Sequence, residues 1–228
     1  MPRTVLPRRG RLLRRHWILA FLVGELIGFV PPAVAGAALV AIAAAPIGLV
    51  AGLTVAGAVE GTVLGIAQAW VLRAHAPAVN RRRWIVVTTA AAGYAWLVGM
   101  VIGTYGPDSP LPPAIFVVLA VLAGVSALLA MGAGQWLVLR RAVAGAGRWV
   151  WVTAGAWLVG VMIPVGALSI LPDGWPLAGH VAVAIVSAVL MGVTVGALTG
   201  RTLARLVYGT ARRRTRRVRQ SPEETNGC

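Results

Sequence analysis

The sequence contains little charge, and very little of that charge is negative. Only 12% of its 228 residues are charged, and six acidic residues stand against 21 basic ones. Lysine is absent, since all 21 basic residues are arginine, which indicates a high-GC bacterial genome more readily than special arginine chemistry. So few charges cannot cover a soluble globule of this size. With 58% hydrophobic residues, the chain is expected to lie in a bilayer.

Cysteine is also scarce, because Cys228, the last residue, is the only one. An intrachain disulfide is therefore excluded. His16 and His75 stand beside arginine, with no carboxylate or cysteine at the spacing of a metal site. The glycines lack the spacing of phosphate-binding or dinucleotide-binding loops. We therefore expect no metal, no cofactor and no enzymatic activity.

The positive charge that is present is confined to alternate connections. The arginines fall in four segments, 1–16, 73–83, 140–148 and 201–219. The remaining connections, 104–113 and 171–177, contain aspartate but no arginine. This is the distribution of a multi-pass protein of the cytoplasmic membrane with both termini inside. We expect the arginines to meet anionic lipid headgroups and not nucleic acid.

A repeat of 67 residues organises the chain. It separates four pairs of positions, Trp17 and Trp84, Pro46 and Pro113, Gly57 and Gly124, and Arg73 and Arg140. Trp149 follows Trp84 after 65 residues. The predicted repeats are 17–73, 84–140 and 149–205, each with one outward and one inward helix of at least about 20 apolar residues. The sequence thus predicts an all-α, six-helix transmembrane bundle with N-in/C-in topology.

The predicted membrane domain has a basic segment on either side. The membrane domain spans 17–206, between a basic cytoplasmic arm at 1–16 and an irregular basic tail at 207–228. Pro31 and Pro32 are expected to kink or break the first outward helix, so the second helix is free to begin before Ile47. The start of the chain also resembles a cleaved signal peptide, but Trp17 keeps the register of the repeats, and we expect it to be retained.

The inward helices carry glycines at spacings of four or multiples of four, which places them on stripes. They are Gly57, Gly61, Gly65, Gly124, Gly132, Gly192, Gly196 and Gly200. Such stripes let membrane helices approach closely. We expect the three inward helices to meet through them around a pseudo-threefold axis.

Polar residues inside the predicted spans are the candidates for function. Gln68 and Gln135 occupy equivalent positions, with Thr199 in the third repeat, and interhelical hydrogen bonds are favoured over a polar ring lining a path. Glu25 and Glu60 have no counterparts in the other repeats. They are read equally well as a proton or cation path or as neutral glutamates bonded to helix carbonyls.

Other candidates have simpler explanations. Ser126 and His180 invite comparison with rhomboid proteases, but their predicted depths differ by about 14 Å, too far for proton transfer. Trp17, Trp84 and Trp149 are assigned to the aromatic belt at the inner membrane surface. Trp70, Trp136 and Trp157 are assigned to helix packing.

Two segments, GAGQWLVLRR at 132–141 and RWVWVTAGAWLVG at 148–160, carry a family resemblance. They resemble uncharacterised bacterial multi-pass membrane proteins with repeated GxxQWLVLRR-type segments, over roughly residues 15 to 205. The first repeat departs from this pattern with Ala69 in place of tryptophan. The resemblance implies fold and location only.

The expected function is that of a non-enzymatic structural or partner-binding membrane component. The alternative is a small proton- or cation-coupled transporter or channel that uses Glu25 and Glu60. A membrane-protein partner fits the first hypothesis. Oligomeric state does not follow from the sequence, since glycine stripes serve contacts within and between chains equally well.

Overall fold

The computed structural model describes residues 5–106, 108–172 and 174–220, and all regular structure in these ranges is helical. The helices are α1 (Val5–Gly28), α2 (Val30–Ala41), α3 (Pro46–His75), α4 (Arg81–Tyr105), α5 (Pro113–Leu139), α6 (Arg148–Ser169) and α7 (Leu177–Gln220). The prediction of an all-α protein is confirmed for the described part of the chain.

Six segments are long and apolar enough to cross a membrane, as predicted. They are Arg8–Ala41, Pro46–His75, Arg81–Tyr105, Pro113–Leu139, Arg148–Ser169 and Ala178–Gly209. The shortest has 22 residues, which exceeds the roughly 20 needed to cross the hydrocarbon. These six segments indicate a multi-pass membrane protein.

The first crossing consists of α1 and α2, which are separated at Phe29. Pro31 and Pro32 lie in the first turn of α2, where a missing N–H breaks no helical hydrogen bond. The Phe29 N–H still donates to the Glu25 carbonyl at 2.8 Å, so the backbone continues almost helically through the junction. A separate α3 then begins at Pro46, one residue before Ile47.

The helices form a closed ring. Helix α1 packs against α3, and α2 also lies against α3. From α3 onward each helix packs against the next one in the chain, and α7 returns to α1. The predicted meeting of the inward helices α3, α5 and α7 through their glycine stripes is wrong, since these helices alternate in the ring with α1, α4 and α6.

The glycine stripes explain this arrangement, because each faces the next helix around the ring. A Cβ on Gly65 would lie 3.1 Å from Ile85 Cα of α4, and one on Gly132 would lie 2.7 Å from the Val150 carbonyl oxygen of α6. On α7, a Cβ on Gly196 would lie 3.2 Å from Ile18 Cα of α1. The remaining stripe glycines are placed similarly, with Gly57 at Trp96, Gly61 at Ala92, Gly192 at Leu22 and Gly200 at Trp17, but no such neighbour lies within 4 Å of Gly124.

The end of the bundle at which α1, α4 and α6 begin and α3, α5 and α7 end is called the arginine-rich end below. The largest apolar core lies here, around three tryptophans. Helix α1 extends back to Val5 and α7 continues to Gln220, so residues 5–16 and 207–220 are helical where an irregular arm and tail were expected. Cys228 lies outside the described residues.

Candidate functional site

Three tryptophans meet inside the arginine-rich end. Trp17, Trp84 and Trp149 are buried, and their ring centroids lie 6.1, 5.9 and 6.0 Å apart in pairs. They come from α1, α4 and α6, which alternate around the ring, so their mutual contact places them on the bundle axis. Their assignment to a lipid-facing belt is therefore wrong. They have the depth of belt residues, but their side chains point inward.

Each of these indoles donates one hydrogen bond to the helix that precedes its own around the ring. Trp84 Nε1 donates to Gln68 Oε1, and Trp149 Nε1 donates to Gln135 Oε1, both at 2.9 Å. Trp17 Nε1 donates to Thr199 Oγ1, also at 2.9 Å. The three bonds bridge α4 to α3, α6 to α5 and α1 to α7. Buried indole N–H groups need such acceptors.

The two glutamine amides are also joined to each other. Gln135 Nε2 donates to Gln68 Oε1 at 3.3 Å and to Thr88 Oγ1 at 3.1 Å. Thr199 donates its own proton to the Val195 carbonyl at 2.6 Å. The structure thus places Gln68 and Gln135 in hydrogen bonds between helices. Together with the tryptophans they fill the axis at this level, and we call these six residues the Trp–Gln layer (Trp17, Trp84, Trp149, Gln68, Gln135 and Thr199).

One hydroxyl beside the Trp–Gln layer is left without a partner. Thr153 of α6 stands 65 residues after Thr88, and its Oγ1 is buried with no hydrogen bond among the described residues. Thr88 is satisfied because Gln135 has an amide to donate. The residue in the corresponding place beside Thr153 is Thr199, which has no NH₂ group. The exchange of glutamine for threonine therefore accounts for the unpaired hydroxyl.

A second polar site lies deeper in the spans, where α1 approaches α3. Glu25 and Glu60 are both buried, and their carboxyl groups interact with each other. Gly28 makes this approach possible, because a Cβ there would lie 3.2 Å from Glu60 Cγ. Trp96 Nε1 of α4 donates to Glu60 Oε2 at 2.7 Å.

The two carboxyl groups are not equally provided with donors. Glu60 has the Trp96 indole, but no N–H or O–H group of the described residues reaches either oxygen of Glu25. Two carboxylates can only accept hydrogen bonds, so they bond to each other only when one of them carries a proton. Glu25 is therefore a buried carboxyl group without a hydrogen-bond donor among the described residues. Among the described residues, the one hydrogen bond formed by this pair is that from Trp96 to Glu60.

The tryptophans assigned to helix packing differ in exposure, and the protease-like pair belongs to neither site. Trp157 packs on Phe21 at 5.8 Å between ring centroids, as its packing assignment predicted, whereas Trp70 is 69% exposed and contradicts that assignment. The Ser126 hydroxyl donates to the Ala123 carbonyl at 2.7 Å, and the His180 ring lies 3.4 Å from the Pro176 carbonyl. The structure does not bring Ser126 and His180 together.

Sequence reasoning missed one polar contact at the arginine-rich end. His16 Nδ1 lies 3.1 Å from His75 Nε2, and His75 Nδ1 lies 3.0 Å from the Tyr208 hydroxyl. The contact joins the last residue of α3 to α1 and α7. The position of each histidine beside arginine could be read from the sequence, but contacts across 59 and 133 residues could not.

No protein-family model, curated protein or solved structure matches the chain.

Proposed function

We propose that the chain is a threefold repeat in the bacterial cytoplasmic membrane, with both termini inside. Equivalent hydrogen bonds support the repeat, since Trp84 to Gln68 and Trp149 to Gln135 join successive helices in the same way. The bond from Trp17 to Thr199 continues the series where α7 meets α1. The restriction of arginine to one end supports the orientation. We also propose that the chain is related to the bacterial membrane proteins with GxxQWLVLRR-type segments that it resembles.

Within this architecture the protein acts as a non-enzymatic structural or partner-binding component of the membrane. The observation that carries this proposal is the Trp–Gln layer. Its indoles occupy the bundle axis, and the side chains of Gln68 and Gln135 form hydrogen bonds with neighbouring helices. Such a layer stiffens a scaffold and leaves no continuous polar path at that level.

The test combines a flux measurement with crosslinking in native membranes. Proteoliposomes of the purified protein should pass protons no faster than protein-free liposomes under an imposed potential. In cells, a photo-crosslinker placed at Trp70 or Trp151, which are 69% and 71% exposed, should capture one specific membrane protein. The same label at Val55, 65% exposed on α3, serves as a control for random collisions. Rapid flux together with lipid-only crosslinks would overturn the proposal.

A second candidate function is proton-coupled transport, and the Glu25–Glu60 pair is the observation that favours it. Ionisable residues inside a membrane span are costly and are retained mostly where they carry ions or protons. Both carboxyl groups of this pair are buried where α1 approaches α3. It lies on the opposite side of the Trp–Gln layer from the arginine-rich surface, so transport requires that the layer open during the cycle.

Replacement of one glutamate separates the two candidates. In Glu60→Gln the amide oxygen still accepts from Trp96 and the NH₂ group donates to Glu25, so the fold is retained. Asp108→Asn, which removes an acid outside the helices, is the matched control. Flux that Glu60→Gln abolishes and Asp108→Asn preserves would establish transport. Equal, background-level flux in all three proteins would exclude it.

A further inference from the structure

A groove between α4 and α5 opens at the arginine-rich end. Its cavity has a volume of about 280 Å³. The lining residues are Arg82, Arg83, Val86, Val87, Leu137, Val138 and Arg141. The lining of the groove is therefore mostly apolar, and three of its seven residues are arginine. It lies on the outer side of the bundle, away from the Trp–Gln layer.

The apolar wall faces the surroundings of the bundle. Val86 is 65% exposed and Leu137 is 46% exposed, so both present their side chains to whatever surrounds the helices. Val138, by contrast, is buried and closes the floor of the groove. Because α4 and α5 cross the membrane, the valine and leucine surfaces continue from the groove into the hydrocarbon layer.

The three guanidinium groups have no acidic partner at this end. The described acidic residues are Glu25 and Glu60, which are buried in the spans, and Asp108, which follows the opposite end of α4. Twenty-five residues of α4 place that end about 37 Å away. Arg82, Arg83 and Arg141 thus present a concentrated positive charge without compensation from the described part of the protein.

The position of Arg82 and Arg83 makes this charge more unusual. Both lie in the first turn of α4, where the helix dipole is positive and basic residues are unfavourable. The Asn80 side chain accepts the Arg83 N–H at 3.0 Å, which leaves earlier N–H groups of the turn free. An anion at this helix start would be attracted by the guanidinium groups and by the dipole together.

We propose that this groove is a binding site for an anionic phospholipid. The phosphate contacts the guanidinium groups of Arg82, Arg83 and Arg141, which suit bidentate recognition of phosphate oxygens. One acyl chain lies along Val86 and Leu137. A free phosphate would use the arginines alone, whereas the exposed apolar wall that leads into the membrane requires a ligand with a hydrocarbon chain. Basic pockets between membrane helices are suited to anionic lipid headgroups.

The test uses the purified full-length protein in detergent, titrated with phosphatidylglycerol and, separately, with phosphatidylcholine. Lipid retained per protein is measured by native mass spectrometry. We expect one tightly retained phosphatidylglycerol and no comparable phosphatidylcholine. Each of the substitutions Arg82→Gln, Arg83→Gln and Arg141→Gln should weaken retention about fivefold, the effect of removing one arginine near an anionic surface. Arg201→Gln, an exposed arginine of α7 outside the groove, should leave it within about twofold.

Two further measurements separate a lipid from a free anion. Inorganic phosphate in large excess should not displace phosphatidylglycerol, and Val86→Ser should weaken lipid retention without affecting the fold, since Val86 is exposed. Complete displacement by phosphate would identify a free-anion site and overturn the proposal. Equal retention of both lipids, or equal loss in the Arg201→Gln control, would also overturn it. None of these outcomes alters the flux and crosslinking tests of the proposed function.

Discussion

At the scale of single residues, the sequence specifies depth in the membrane but not rotation about the helix axis. Trp17, Trp84 and Trp149 have the depth of belt residues, yet all three point into the bundle. Their glutamine partners held the missing information, because Trp84 and Trp149 recur together with Gln68 and Gln135. The third pair, Trp17 and Thr199, cannot be recognised from the sequence in this way, because the two residues are 182 positions apart and threonine replaces glutamine.

The Trp–Gln layer predicts a strong contrast between a buried and an exposed tryptophan of α6. Trp149→Phe loses ring contacts with Trp17 and Trp84 and leaves Gln135 Oε1 without its donor. The free energy of unfolding should fall by about 2 kcal/mol, since packing and a buried hydrogen bond are both lost. Trp151→Phe, at a residue that is 71% exposed, should change it by less than about 0.5 kcal/mol. Thermal unfolding in detergent measures both, and equal Tm values would contradict a buried triad.

A second pair of substitutions tests the unpaired hydroxyl. Thr153→Val removes a buried group that has no hydrogen bond, so the unfolding free energy should stay the same or rise by up to about 1 kcal/mol. Thr88→Val removes an acceptor of Gln135 and should lower it by about 0.6 to 1 kcal/mol. The comparison of Tm values in one detergent provides the measurement. A lower Tm for Thr153→Val than for Thr88→Val would show that the Thr153 hydroxyl has a hydrogen-bond partner in the folded protein.

At the scale of helices, the number of crossings follows from apolar length, but the packing partners do not. A stripe of glycines on α3 or α5 shows that one face of the helix is closely approached, without showing by which helix. Three similar stripes suggested mutual contact, whereas each lies against the next helix around the ring. The interruption next to Pro31 and Pro32 was predictable, because the missing proline N–H restricts where these residues fit in a helix.

Two glycines of α5 should respond oppositely to alanine. A Cβ on Gly132 would lie 2.7 Å from the Val150 carbonyl oxygen and 2.8 Å from Val150 Cα, so α5 and α6 must separate. Gly132→Ala should destabilise the protein by about 1 to 3 kcal/mol. Gly124→Ala meets no such neighbour within 4 Å and should gain up to about 1 kcal/mol from helix propensity. Unfolding in a mixed-micelle titration gives both values, and a similar loss at both positions would contradict the specific α5–α6 contact.

At the scale of the whole molecule, closure of the ring through α7 and α1 distinguishes this fold from three inward helices meeting at the centre. A Cβ on Gly192 would lie 3.4 Å from Leu22 Cα of α1. Leu128 of α5 and Gly192 of α7 each lie seven residues before the polar residue of their repeat, so a central meeting of the inward helices would bring them together. In the ring, however, α5 and α7 are separated by α6. The ring therefore predicts that Leu22 and Gly192 are neighbours, whereas a central meeting of the inward helices predicts that Leu128 and Gly192 are.

Disulfide formation provides the corresponding measurement. In a protein with Cys228→Ser, the pair Leu22→Cys and Gly192→Cys should oxidise readily, because a disulfide requires Cα atoms about 4.4 to 6.8 Å apart. The pair Leu128→Cys and Gly192→Cys should remain reduced under the same conditions, since α6 lies between α5 and α7 in the ring. Alkylation followed by mass spectrometry counts the free thiols in each variant. Oxidation of the second pair alone would show that the inward helices meet at the centre, and it would contradict the ring.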